Sequence, residues 1–171
     1  LEPHGADTFV GTGPRYPWGG LYGGQIVAQA LQAASLTVDP EHRVHSLHAY
    51  FIRRGDHAEP VRYEVARTRN GRSFTTRTVE ARQAVGAILS LSASFQVDED
   101  APEVQTSNLP EVTPPDEAAD DSWSAIYQRG MLEPDPATGT AAAWMRLAHP
   151  VPDGPGKAAL DAAALAYMSD D

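Results

Sequence analysis

Residues 21–36 read LYGGQIVAQALQAASL. No charge interrupts this stretch, and Ile26, Val27, Ala30, Leu31 and Ala34 recur at helical spacing. A surface helix carries a charged face, whereas an uncharged one is wrapped on most sides by other structure. Gln25, Gln29 and Gln32 supply the only polar stripe, and it is neutral. Gly23 and Gly24 stand at the expected helix start, where backbones pack closely or bare helix N–H groups come within reach of a partner. A buried helix followed by long alternating strands points to an α+β fold, an antiparallel sheet curled around a central helix.

The strands follow directly. In residues 44–54 (VHSLHAYFIRR), alternation places His45, Leu47, Ala49 and Phe51 on one face and Ser46, His48, Tyr50 and Ile52 on the other. Residues 61–69 turn Val61, Tyr63 and Val65 inward, and Asn70-Gly71 is a strong hairpin signal. A Thr-rich strand returns over 73–82. After a short turn at 83–86, residues 87–97 (AILSLSASFQV) gather Ala87, Leu89, Leu91, Ala93, Phe95 and Val97 on one apolar face. Ser90, Ser92 and Ser94 share the opposite face, which suits a strand lying closely on another element or lining a narrow channel. Before the helix, residues 7–14 read as a short strand entering a Gly/Pro-rich loop at 11–20. That loop lacks the Walker lysine and the full dinucleotide fingerprint, so a tight connection is expected.

Past residue 97 the character changes. Residues 98–122 hold nine acidic residues, four prolines and no Lys or Arg, so the segment repels itself and buries little. We expect a first domain over 1–97, an acidic, Pro-rich and partly disordered linker over 98–141, and a second domain opening at 142–171. Within the linker, 122–129 reads as a short helix and 134–139 as loose chain. Residues 142–149 then read as a strand and 157–168 as an Ala-rich helix. The order strand, then helix, repeats the opening of the chain and suggests an internal repeat cut short. In it, Tyr22-Gly23-Gly24-Gln25 and Tyr167-Met168-Ser169-Asp170 would be equivalent corners.

The 171 residues suffice for one large domain or one and a half, and 42% are hydrophobic. Cysteine is absent, which excludes disulfides, thiolate metal sites and a Cys nucleophile and by itself assigns no compartment. No apolar run reaches membrane-spanning length. Residues 1–10 lack the basic start and apolar middle of a signal peptide, and the expected location is cytoplasmic. The first residue is not Met, so the chain is expected to begin inside a longer gene product. The net charge is −10, unevenly spread. Residues 1–97 carry 10 Lys/Arg against 8 Asp/Glu, and residues 98–171 carry 3 against 15. Such acidity argues against nucleic acid as a partner but leaves room for a phosphate-bearing small molecule on the first part.

Candidate chemistry is sparse. No Gly-x-Ser-x-Gly elbow and no His-Glu-x-x-His occurs. His42, His45 and His48 invite a metal, but residues three apart on a strand point to opposite faces unless a bulge intervenes, so no metal site is expected. Arg53, Arg54 and Asp56 end a strand, either as a solvated turn or as a holder of an anionic group such as a nucleotide phosphate. Gln25, beside the Gly24 N–H, either meets a ligand carbonyl in a small oxyanion site or is satisfied within the fold. Asp170 is the one carboxylate that the repeat places at such a corner, where it can deprotonate water for attack on an ester or thioester.

The segments LYGGQIVAQAL, VHSLHAYFIRRGD, RNGRSFTTRTVEARQ, LSASFQ and LAYMSD resemble the acyl-CoA thioesterase II family in order and spacing, over residues 9–97 and 142–171. The resemblance implies two tandem hotdog domains, here with the second copy truncated, each a long helix wrapped by an antiparallel sheet. It implies hydrolysis of acyl-CoA to free acid and CoA with no metal, no cofactor and no covalent intermediate. It places the catalytic carboxylate at Asp170, with a Thr and a Gln farther along the second domain as its partners. Gln25 then occupies the corresponding place in a non-catalytic first copy, and Gly24, Gln25, Arg53 and Arg54 are the expected substrate-binding residues. Two alternatives stand beside this: a hotdog module that binds acyl-CoA without turning it over, and a hotdog hydratase or dehydratase using His45 or His48. Open sheet edges favour a homo-oligomer.

Overall fold

The computed structural model describes residues 1–106, 108, 111–134 and 136–171. In chain order the elements are β1 (Glu2–Pro3), β2 (Thr8–Gly11), α1 (Gly23–Ser35), β3 (His42–Phe51), β4 (Val61–Asn70), β5 (Phe74–Gln83) and β6 (Gly86–Val97). They are followed by β7 (Ala119–Asp120), β8 (Tyr127–Met131), β9 (Ala143–Leu147) and α2 (Lys157–Met168). The chain divides into two compact units, Leu1–Glu99 with Asp153–Asp171, and Asp100–Pro152.

In the first unit a six-stranded antiparallel sheet runs β1-β2-β4-β5-β6-β3. Val61 and Tyr63 on β4, Val79 and Ala81 on β5, and Leu89, Leu91 and Phe95 on β6 alternate onto one face. Against that face α1 sets Ile26, Val27, Ala30, Leu31 and Ala34, all buried in one core. Full burial of a side chain the size of Ile26 or Leu31 contributes roughly 1.5–3 kcal/mol. This is the hotdog arrangement, sheet around helix, and the uncharged helix is its centre. Gln25 and Gln29 of the glutamine stripe face the connection after β2. Gln29 donates Nε2 to the Thr12 carbonyl at 2.9 Å and accepts from Tyr63 at 2.7 Å. A Cβ at Gly13 would stand 1.9 Å from Gln25 Nε2, so the loop closes onto the helix as the tight connection that was expected.

Two cations pin this unit. Arg67 grips Asp7 with two parallel bonds of 2.8 and 2.9 Å, and the guanidinium holds the Asp7 carboxyl below its ordinary value. Asp7 itself sits at φ +50°, a left-handed conformation that Asp tolerates better than most residues. Arg77, on the inward face of β5, is only 2% exposed. It donates to Thr37 Oγ1 and to the carbonyls of Thr37, Arg69 and Thr76, at 2.8–3.0 Å. It therefore ties the chain just past α1 to the sheet.

β3 departs from strict alternation. A bulge between Val44 and Ser46 adds a residue to β3. Leu47, Ala49 and Phe51 stay opposite Ala93, Leu91 and Leu89, but His45 leaves their company and bonds Ser94 Oγ through Nε2 at 2.9 Å. The serine face of β6 thus lies opposite Ser46, His48 and Tyr50 and away from the helix.

α2 forms where the Ala-rich run predicts it. It packs along α1, burying Ala163, Ala166 and Tyr167. The second unit is a three-stranded sheet, β7-β8-β9. Here the expected helix at 122–129 is corrected. Asp120 Oδ1 accepts from the Ser122 N–H, a local turn, and Tyr127 enters β8 paired with Leu147 of β9. A segment of eight residues is too short to hold a helix alone, and a partner strand distant in sequence supplies the bonds instead. Residues 98–141 therefore contribute two strands, β7 and β8, and β9 pairs with β8. The disorder expected there falls partly on residues 107, 109, 110 and 135, which lie outside the described residues. Among the described residues no helix is long and apolar enough to cross a membrane.

Candidate active site

α1 opens without a cap of its own. Tyr22 at the N-cap makes no side-chain capping bond, and no acid stands in the first turn. The first N–H groups of a helix need partners. Gly24 finds one at Asp170, donating to Oδ2 at 2.8 Å. Asp170 arrives there because α2 stops two residues earlier, its C-cap Ser169 N–H closing onto the Leu165 carbonyl at 3.0 Å. Both glycines are needed for the approach. A Cβ on Gly23 would meet Asp170 Oδ2 at 2.5 Å, and one on Gly24 would meet the Tyr167 carbonyl oxygen at 2.1 Å.

Three tyrosines secure the corner. Tyr22 donates its hydroxyl to the Tyr167 carbonyl at 3.0 Å. Tyr16 donates to Gln25 Oε1 at 2.8 Å and lies 3.1 Å from the Tyr167 hydroxyl. Tyr16 has one proton to give, so Tyr167 is the donor between the two phenols.

The carboxyl of Asp170 is pushed above its ordinary value. Loss of water around it is the largest cause, opposed by the Gly24 N–H; the charge of Asp171 pushes in the same direction as desolvation, and the Gly23 N–H opposes. Asp170 lines a cavity of about 420 Å3 whose wall is otherwise Leu21, Gly23, Ile26, Phe51, Ile52, Arg53, Arg54 and Gly55. The lining combines apolar side chains with two arginines. Arg53 donates to the Ala87 carbonyl at 2.8 Å and Arg54 to the Trp18 carbonyl. Neither is in an ion pair among the described residues. A larger cavity in the Asp100–Pro152 unit is lined by Asp116, Asp120, Arg129 and Arg146 among others, none of them singled out by the sequence.

The structure thus brings Gly24 and Asp170 into contact and sets Arg53 and Arg54 on the same cavity. It does not bring Gln25 there. That side chain is 4% exposed, turned to Tyr16 and Gly13, with Nε2 buried and unpartnered. The Gly24 N–H is also committed to a carboxylate instead of standing free. The two corners are not equivalent positions either: Tyr22-Gly23-Gly24-Gln25 opens α1, whereas Tyr167-Met168-Ser169-Asp170 closes α2. They face one another across the helix pair. His45 and His48 are absent from the cavity wall. Sequence reasoning missed Tyr16, Leu21 and Phe51.

A family model for the acyl-CoA thioesterase N-terminal domain matches residues 12–96. The solved acyl-CoA thioesterase II TesB2 of Mycobacterium marinum superposes with a TM-score of 0.77 and 34% identity, over 99% of this chain and 64% of that one. The chain belongs to the acyl-CoA thioesterase II family. A second structure of similar kind, the tesB protein of Mycobacterium avium subs paratuberculosis, gives a TM-score of 0.82 and 33% identity over 98% of this chain and 65% of that chain. Human acyl-coenzyme A thioesterase 8 is 46% identical over 120 residues, 70% of this chain and 38% of that protein. The chain therefore spans about two-fifths of the length of that curated relative.

Proposed function

We propose that the protein carrying this chain hydrolyses acyl-CoA thioesters to free acid and CoA, with Asp170 as general base. The observation that carries the reading is the placement of Asp170, held by α1 on the wall of a cavity lined by apolar side chains and by Arg53 and Arg54. Leu21, Ile26, Phe51 and Ile52 take apolar parts of the substrate, and Arg53 and Arg54 take phosphate. A carboxylate accepts about four hydrogen bonds, so the bond from the Gly24 N–H leaves room for a water. Asp170 removes a proton from that water as its oxygen bonds to the thioester carbon. The tetrahedral intermediate collapses, the C–S bond breaks, and the proton passes from Asp170 to the departing thiolate. A raised carboxyl value makes Asp170 a stronger base toward that water. The oxyanion is held by the Gln of the second domain that the family resemblance implies, or by backbone N–H groups other than that of Gly24, which is committed to Asp170.

The same reading makes residues 142–171 the opening of a second hotdog, acyl-CoA the ligand, a homo-oligomer the assembly and the cytoplasm the location. The hydratase alternative requires a histidine on the cavity, and His45 and His48 lie elsewhere.

The test is thiol release from acyl-CoA esters of graded chain length by the natural full-length protein and its Asp170→Asn variant. The parent releases CoA, and the variant loses at least about a hundredfold in kcat. Hydrolysis undiminished in the variant removes Asp170 from the role of base. Tight binding without product on every chain length replaces the enzyme with a binding module.

A further inference from the structure

We propose that Tyr22 and Tyr16 are positioning residues for Asp170, acting from the first hotdog through Tyr167. The inference rests on Asp170 being the base and goes beyond it by assigning a catalytic duty to the copy that carries no base. Asp170 lies beyond the last turn of a helix, where chains fray. Its place is set by what grips Tyr167, three residues earlier. The Tyr22 hydroxyl holds the Tyr167 carbonyl at 3.0 Å, and the two rings meet edge to face with centroids 4.9 Å apart. From the other side the Tyr16 hydroxyl takes the Tyr167 hydroxyl at 3.1 Å and is itself directed by Gln25 at 2.8 Å. Tyr16, Tyr22 and Tyr167 are each buried, and none of them lines the cavity. They touch no reacting atom and act by fixing the backbone from which Asp170 reaches Gly24. Gln25 belongs to this clasp, which gives its amide a purpose other than an oxyanion site.

Displacement of a catalytic group by about an ångström can cost as much as a hundredfold in rate, and removing one of several restraints costs part of that. The test compares Tyr22→Phe and Tyr16→Phe, which keep the packed rings, with Asp170→Asn in the natural full-length protein. Each Phe variant is expected to lose roughly 5- to 20-fold in kcat with KM within about twofold. The acid limb of its rate profile moves to higher pH, because the Gly24 bond that holds the carboxyl value down is loosened. In the parent, the Gly24 amide resonance follows the titration of Asp170, and in the Phe variants that response weakens.

Parental kcat and an unmoved limb in both Phe variants, with Asp170→Asn inactive, overturn the clasp while leaving the base in place. A fall in kcat accompanied by an unshifted limb and an undiminished Gly24 response also overturns it, since a general loss of packing would do the same. An active Asp170→Asn variant removes the base and the clasp together.

Discussion

Gly24, in the first turn of α1, gives its backbone N–H to Asp170 Oδ2 at 2.8 Å across 146 residues of sequence. The bond serves both partners. It caps a helix that lacks a cap of its own, and it orients the carboxylate that we assign as base. A helix N-terminus also favours negative charge, which opposes the desolvation that pushes the Asp170 carboxyl upward.

That balance has a sign. The folded carboxyl lies above its ordinary value of 3.8, so its stabilising share is present below that value and is lost as pH rises through the raised one. At neutral pH the charge is a burden on the fold. Asp170→Asn keeps an acceptor for Gly24 without the charge, and denaturant midpoints at pH 7 should be equal to or above the parent's. The advantage should shrink as pH approaches 4. Asp170→Ala removes the cap altogether and should cost about 0.5–2 kcal/mol.

The rate profile should show the same group. The base must be ionised, so kcat/KM in the natural full-length protein should rise through an apparent value above the ordinary carboxylate range. A limb at or below 3.8 would assign the proton transfer to another residue.

Adjacent glycines should behave differently. At Gly23 an added Cβ meets only side chains, Asp170 Oδ2 at 2.5 Å and the Phe51 ring at 2.8 Å. Gly23→Ala should push the carboxylate aside and reduce turnover by tenfold or more, as expected for a misplaced base, with a modest change in Tm. At Gly24 the Cβ meets backbone, the Tyr167 carbonyl at 2.1 Å. Gly24→Ala should separate α1 from α2 at a cost of roughly 1–3 kcal/mol, seen as a lowered Tm before any assay is run.

Arg77 should matter to folding alone. Its bonds to Thr37, Arg69 and Thr76 lie outside the cavity wall. Arg77→Met removes the donor from the buried Thr37 carbonyl and from the partly buried carbonyls of Arg69 and Thr76, and should cost roughly 3 kcal/mol. Thr37→Val, which removes one hydroxyl, should cost about 1 kcal/mol. Less than additive loss in the double variant, read from urea midpoints, would confirm that the two act as a pair.

Much of this was legible without coordinates. Period-two alternation placed Val61, Tyr63, Val65, Leu89, Leu91 and Phe95 inward, and the uncharged run at 21–36 announced a central helix. Both are local patterns, set by side-chain direction along a single element, and a hydrophobic face must be buried somewhere. His45 escaped the pattern because a bulge is decided by how one strand registers against its neighbour. The strand at Tyr127–Met131 escaped because its bonds come from β9, a partner that propensity cannot see. Sequence also placed Asp170 and Gly24 in the site, each on its own motif, but made Gln25 the counterpart of Asp170. Only the packing of α2 along α1 made Asp170 and Gly24 partners. A helix N-terminus states in sequence that it lacks a cap, but which distant carboxylate supplies one depends on where another helix ends in space.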